Sequence, residues 1–244
     1  MRIRLYVENK LTESSDIVLN EKQTHYLFHV LKQKSGDFVY CFDNQSGEFE
    51  CVIVSIDKKV CKISIGAKIR TFETCPDIWL LFAPVKKDNT DFIIEKATEL
   101  GARKIIPIIS QRTINDKINS QRFYFQAIEA SEQCRRVDLP EISESIKLGD
   151  LLKNWDKSRT LFFMDETLVN GNVLSTFSDK SLKGKPCAIL TGPEGGFTQE
   201  ELNLLRSLKF TKAVGLGKRI LRAETAAIAA LSCWQAISGD WKND

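Results

Sequence analysis

The chain predicts an α/β protein built from a small N-terminal β-barrel and a larger domain with a mainly parallel sheet. Two observations predict this. Over the first seventy or so residues, short alternating or β-branched runs follow one another between turn signals. After Thr71 the rhythm changes to strand-like runs alternating with amphipathic helical patterns, which argues for parallel strands joined by helices. A boundary therefore falls between Thr71 and Pro76, giving domains of residues 1–72 and 73–244.

In the first domain, Arg2 to Val7, Phe38 to Phe42, Glu48 to Ile56 and Val60 to Ile65 read as strands. Asn44-Gln45-Ser46-Gly47 and Asp57-Lys58-Lys59 mark turns between them. Lys22 to Gln33, with Leu27, Val30 and Leu31, suits a short helix, and His25 and His29 would share one of its faces. No third ligand lies near that pair, so no metal site is expected.

In the second domain, Ile78 to Ala83, Lys104 to Ile109, Thr160 to Met164, Cys187 to Leu190 and Ala213 to Leu216 read as strands. Asp88 to Leu100 is an amphipathic helix stopped by Gly101, and Arg122 to Gln133 is another. Thr198 with Glu201 forms a capping box before a helix over Glu200 to Leu208. Ala223 to Ile237 closes the pattern, with alanines that let a helix pack backbone-close against another element.

Composition bounds the function. Hydrophobic residues make up 43% and charged residues 27%, ordinary for a globular protein. No apolar stretch has the length of a membrane span, and Met1 to Glu8 reads as a strand rather than the apolar core of a secretion signal. The 7 cysteines include no C-x-x-C pair, which points to reduced thiols in the cytoplasm. A net charge of +3 permits nucleic-acid binding without demanding it, so an RNA surface would have to assemble from local clusters such as Lys86-Lys87, Arg135-Arg136 and Lys218-Arg219 with Arg222.

The chemistry concentrates in two glycine-bearing segments. One runs Leu190-Thr191-Gly192-Pro193-Glu194-Gly195-Gly196-Phe197, the other Gly215-Leu216-Gly217-Lys218-Arg219-Ile220-Leu221-Arg222-Ala223-Glu224-Thr225-Ala226. Each follows a strand and precedes a helix, where α/β sheets bind ligands. No Lys-Ser/Thr pair follows the first glycines and no third glycine completes the second, so neither is a phosphate-binding fingerprint. A nucleoside seated on backbone groups fits better. No nucleophile elbow or activated cysteine is present, so the chemistry would rest on positioning and electrostatics.

At these residues the chain resembles the RsmE family, bacterial methyltransferases of the SPOUT class that modify small-subunit ribosomal RNA. Leu190 to Phe197 resembles the family's G-P-E-G-G loop, and Leu216 to Ala226 its L-G-x-x-I-L-R-x-E-T-A segment. Lys96 to Gly101 with Pro107 and Gln111-Arg112, Glu132-Gln133-Cys134 with Arg136 and Pro140, and His25 to Gly36 resemble further blocks in the family's order. Ala223 stands where the family often has threonine, and Lys32 where arginine is common.

The resemblance implies a PUA-like RNA-binding barrel joined to a SPOUT α/β knot methyltransferase domain, with S-adenosylmethionine as cofactor. It also implies a cytoplasmic homodimer acting on N3 of a uridine in 16S ribosomal RNA within the small ribosomal subunit. The knot itself is not readable from composition or periodicity. On this reading Met164, Leu190, Thr191, Gly192, Glu194, Gly195, Gly196, Leu216, Gly217, Ile220, Leu221 and Ala223 would hold the cofactor. Arg222, Glu194 and Glu224 would be catalytic, and Lys86, Arg112, Arg136 and Arg222 would contact the RNA. The alternatives are a non-catalytic RNA-binding or ribosome-assembly protein that keeps a nucleoside pocket, and a methyltransferase acting on another RNA such as transfer RNA.

Overall fold

The structure is a computed structural model that describes residues 2–114, 118–167, 172–179, 182 and 184–241. It divides into two compact units, one formed by Met1–Thr74 with Ser131–Leu139, the other by Cys75–Ala130 with Pro140–Asp244.

The first unit holds a five-stranded mixed sheet in the order β1-β3-β4-β5-β2. Its strands are β1 (Arg4–Tyr6), β2 (Asp16–Val18), β3 (Phe38–Phe42), β4 (Glu48–Ile56) and β5 (Cys61–Arg70). β1 runs parallel to β3, and the remaining pairs are antiparallel. Alternation along β4 and β5 sends Phe49, Cys51, Ile53, Cys61, Ile63 and Ile65 into one apolar core with Leu5, Leu27 and Val39. The short helix α1 (Glu21–His25) starts at Asn20, whose side chain accepts from Gln23 N while Gln23 answers with the reciprocal cap. It runs on into a π-helical turn, Tyr26–Val30, and the His25 and His29 rings lie 4.7 Å apart.

Ser131–Leu139 is tied to this sheet by buried charge. The Arg4 guanidinium donates to Glu48 and to the carbonyls of Ser131 and Arg136, both at 2.7 Å. Glu132 accepts from Tyr6 N at 2.9 Å.

The second unit is a parallel sheet. Its strands are β6 (Ile78–Phe82), β7 (Lys104–Ile109), β8 (Glu141–Ile142), β9 (Ile146–Lys147), β10 (Thr160–Met164), β11 (Cys187–Thr191) and β12 (Thr211–Val214). They lie in the order β12-β10-β11-β6-β7-β8, with β9 also paired to β7. Strands buried on both faces read as continuous apolar runs, which is why Ile78 to Phe82 and Thr160 to Met164 carry almost no polar residue. Leu80, Phe82, Phe162 and Ile189 face one core, shared with α2 (Lys87–Glu99), α3 (Ser120–Cys134), α5 (Val173–Phe177) and the alanine-rich α7 (Ala223–Ser238). Leu81, Phe163 and Leu190 face the other, shared with α4 (Leu148–Lys153) and α6 (Gln199–Ser207). The capping box of Thr198 and Glu201 is present in both directions at the start of α6. The alanines of α7 pack within the chain against α2, and Gln235 Nε2 donates to Leu100 O at 2.6 Å.

A candidate cofactor and substrate pocket

Parallel pairing aligns the carboxyl ends of β10, β11 and β12: Phe163 faces Leu190, and Met164 faces Val214. Three loops leave those ends together, and a cavity of about 740 Å³ opens among them. That is within the usual size of a small-molecule site. Met164, Asp165 and Glu166 form one wall, Gly192 to Gly196 a second, and Leu216, Gly217 and Arg219 to Ala223 a third. Lys86 and Asn89 at the start of α2 and Glu224 and Ala226 in α7 complete it.

Each wall has a local cause. Asp165, 1% exposed, takes Thr167 N at 3.0 Å and Thr167 Oγ1 at 2.7 Å on one oxygen, and Arg206 Nε at 3.1 Å on the other. Its charge is matched, so it shapes the turn after β10. Gly196 sits at φ +67°, and a Cβ there would press on the Glu166 carboxylate across the cavity. A left-handed residue in contact with a neighbouring wall is where glycine is required. A turn from Gly196 N to Pro193 O, 2.9 Å, closes that loop.

The polar groups divide by partner. Glu224 Oε1 accepts from Asn89 Nδ2 at 3.3 Å, while its Oε2 is buried with no hydrogen-bond partner among the described residues. Lys86, Arg219 and Arg222 line the cavity and form no ion pair among the described residues. Arg222 is exposed at the N-cap of α7 and makes no side-chain cap. Glu194 is exposed on the cavity rim.

Most of the residues predicted to act here are brought together. Met164, Gly192, Glu194, Gly195, Gly196, Leu216, Gly217, Ile220, Leu221 and Ala223 all line the cavity, with Arg222, Glu224 and Lys86 beside them. The remaining predicted residues lie elsewhere. Leu190 and Thr191 do not line it: β11 runs through Thr191, Ala83 N donates to Thr191 O at 3.1 Å, and both side chains are buried in the sheet. Arg112 stands outside the cavity, donating from Nη1 to Gly195 O at 2.8 Å. Arg136 lies in the first unit, where Asp138 takes its Nε at 2.9 Å and its Nη2 at 3.0 Å with the side chain 6% exposed. Its charge is neutralised and shut from solvent, so it does not face an RNA. Asn89 was not anticipated; it lies 135 positions from Glu224, and no local spacing signals the pair.

The family model described as an RNA methyltransferase domain matches residues 73–235, and one described as an RNA methyltransferase PUA domain matches residues 19–66. Ribosomal RNA small subunit methyltransferase E of Rickettsia conorii is 36% identical over 94% of this chain and 93% of its own. The Bacillus subtilis protein of the same name is 28% identical over 94% of each. Among solved structures, ribosomal RNA small subunit methyltransferase E from Neisseria gonorrhoeae, bound to S-adenosyl methionine, superposes with a TM-score of 0.89 at 25% identity. It covers 99% of this chain and 100% of its own. The fold class is thus the expected α/β one, a PUA unit with an α/β RNA methyltransferase unit. Matched from end to end by relatives of one name, and by domain families in the same order, the chain belongs to the ribosomal RNA small subunit methyltransferase E (RsmE) family.

Proposed function

We propose that this chain methylates N3 of one uridine in 16S ribosomal RNA of the small ribosomal subunit, using S-adenosylmethionine. The single observation that carries this reading is the cavity at the carboxyl ends of β10, β11 and β12, walled largely by backbone. Its residues fit the cofactor. Gly217, at φ +97°, has nothing within 4 Å of where a Cβ would stand, so its backbone faces open space. The orphaned Oε2 of Glu224 awaits a hydroxyl or ammonium donor.

When bound, S-adenosylmethionine supplies a methyl group on a positively charged sulfur. The three loops would hold donor and base against one another, and orientation of this kind can lower a barrier by as much as about 7–11 kcal/mol. Uridine N3 carries a proton at neutral pH, so transfer needs a base. Glu194 or Glu224 would take that proton and so free the nitrogen's electron pair to accept the methyl group. Arg222, which lines the cavity and has no ion pair among the described residues, offsets the negative charge that develops on the uracil ring. Lys86 meets the RNA backbone at the same mouth.

The working form on this reading is a cytoplasmic homodimer. Ile220, 86% exposed on the cavity rim, is the kind of apolar residue that a second copy would cover. Light scattering on the purified chain checks this, a monomeric mass being the contrary result. The activity is tested by mass spectrometry of RNA from a strain lacking the gene. Loss of N3-methyluridine from 16S ribosomal RNA is expected; loss from transfer RNA alone overturns the substrate assignment.

A further inference from the structure

The glycine loop of the cavity is held from behind as well as lined from within. Beyond its bond to Gly195 O, Arg112 lays its stem against the same residue, where a Cβ would meet Arg112 Cδ at 3.5 Å and Cβ at 3.7 Å. The segment carrying Arg112 is itself pinned. Gln111 N donates to Glu201 Oε1 at 2.8 Å, and Ser110 N donates to Thr113 Oγ1 at 2.9 Å. The other oxygen of Glu201 accepts from Thr198 N at 2.9 Å, directly after the glycine loop. One carboxylate, 7% exposed, therefore joins the end of the loop to the segment that reaches back over its middle. Helix capping needs only Thr198 and Glu201. The bond from Gln111 has no part in a cap.

We propose that Glu201 and Arg112 form a brace that sets the Gly192–Phe197 loop in its cavity-wall position, making both of them positioning residues for methyl-donor binding. The proposal rests on the cofactor reading above. A loop with glycines at 192, 195 and 196 loses much backbone freedom when it closes on a ligand. A brace that holds it beforehand moves that cost from binding to folding, which raises affinity without touching the ligand. This differs from a role for Arg112 in RNA contact, because the effect is present with no RNA at all.

Calorimetry of the full chain with S-adenosylmethionine, in the absence of RNA, tests it. Arg112→Ala is expected to weaken donor binding about five- to tenfold, a range set by losing one hydrogen bond of ordinary strength at an exposed site. Arg112→Lys, which keeps one donor, should restore part of the affinity. Glu201→Gln keeps the shape but only one accepting oxygen, and should weaken binding less than Arg112→Ala. The double variant should lose less than the product of the two, since both act through one element. Hydrogen exchange should quicken at Gly195 to Phe197 in Arg112→Ala and stay unchanged in β6. Equal donor affinity for Arg112→Ala and the parent chain overturns the brace alone. So does an affinity loss accompanied by faster exchange throughout β6, which would mark general destabilisation. A parent chain that binds no donor overturns the cofactor reading, and the brace with it.

Discussion

The interior of the first unit and the cavity of the second treat charge in opposite ways. In the first, the buried charges answer one another or the backbone: Arg4 with Glu48, Arg136 with Asp138, and Asp43 with the amides of Leu11, Gln45 and Ser46. In the second, the cations around the cavity, Lys86, Arg219 and Arg222, carry no ion pair among the described residues. Arg136 and Arg222 look alike in sequence, each a basic residue two positions from an acidic one (Asp138, Glu224) inside a family-like block. Burial and partner separate them. A matched arginine holds the fold, and an unmatched one at a cavity is available to a substrate.

The sharpest way to break this contrast is to remove a matched charge. Arg4→Ala leaves Glu48, 3% exposed, with only the long 3.5 Å contact to Arg70 and frees the carbonyls of Ser131, Glu132 and Arg136. Breaking a buried pair from one side costs about 3–5 kcal/mol. Denaturant unfolding of the variant should show a loss of that order. A change below about 1 kcal/mol, within the range of surface pairs, would mean the first unit does not depend on its internal charge.

Removing an unmatched charge should do the reverse. Arg222→Ala is expected to lower turnover about 10²- to 10³-fold, the range for losing one group aimed at developing charge. Donor affinity and melting temperature should scarcely change, because the side chain is exposed and caps nothing. Equal losses in turnover and donor binding would make Arg222 a cofactor ligand instead, and its place in the contrast would go.

How much of this was legible in the sequence follows the range of the forces involved. Phe38–Phe42, Glu48–Ile56, Lys104–Ile109 and Thr160–Met164 fall where periodicity predicts them, because a strand of five or more residues shows its alternation or its apolar run. β2, β8 and β9, of two or three residues, are too short to carry a period. α4 and α5 span barely a turn and a half. The glycine loops were readable because backbone freedom is a local property. Leu190 and Thr191 lie within β11 and not on the cavity wall, because one further residue of sheet pairing decides which way a side chain faces. Asn89 with Glu224, Arg206 with Asp165 and Arg112 with Gly195 join positions far apart in the chain. Only the fold brings them together.

A smaller effect sharpens the contrast from the first unit's side. Burial by itself would raise the pKa of Asp43, but the adjacent Ser46 side chain and hydrogen bonds from the Leu11, Ser46 and Gln45 backbones outweigh it and lower the carboxyl below its usual value. A depressed folded pKa means the carboxylate stabilises the fold above its unfolded value, near 3.9, and that this stability is lost as pH falls through the folded value. Asp43→Asn keeps one accepting oxygen and loses the other, so at neutral pH it should cost about 1–2 kcal/mol. The gap to the parent chain should narrow as pH falls through the lowered folded value, where the parent's own carboxyl becomes neutral and resembles the amide. Melting curves collected from pH 2 to 7 on both chains measure that gap. A gap constant across the range would show that shape, not charge, is what Asp43 gives to its turn, and the rule of matched charge would then fail at that site.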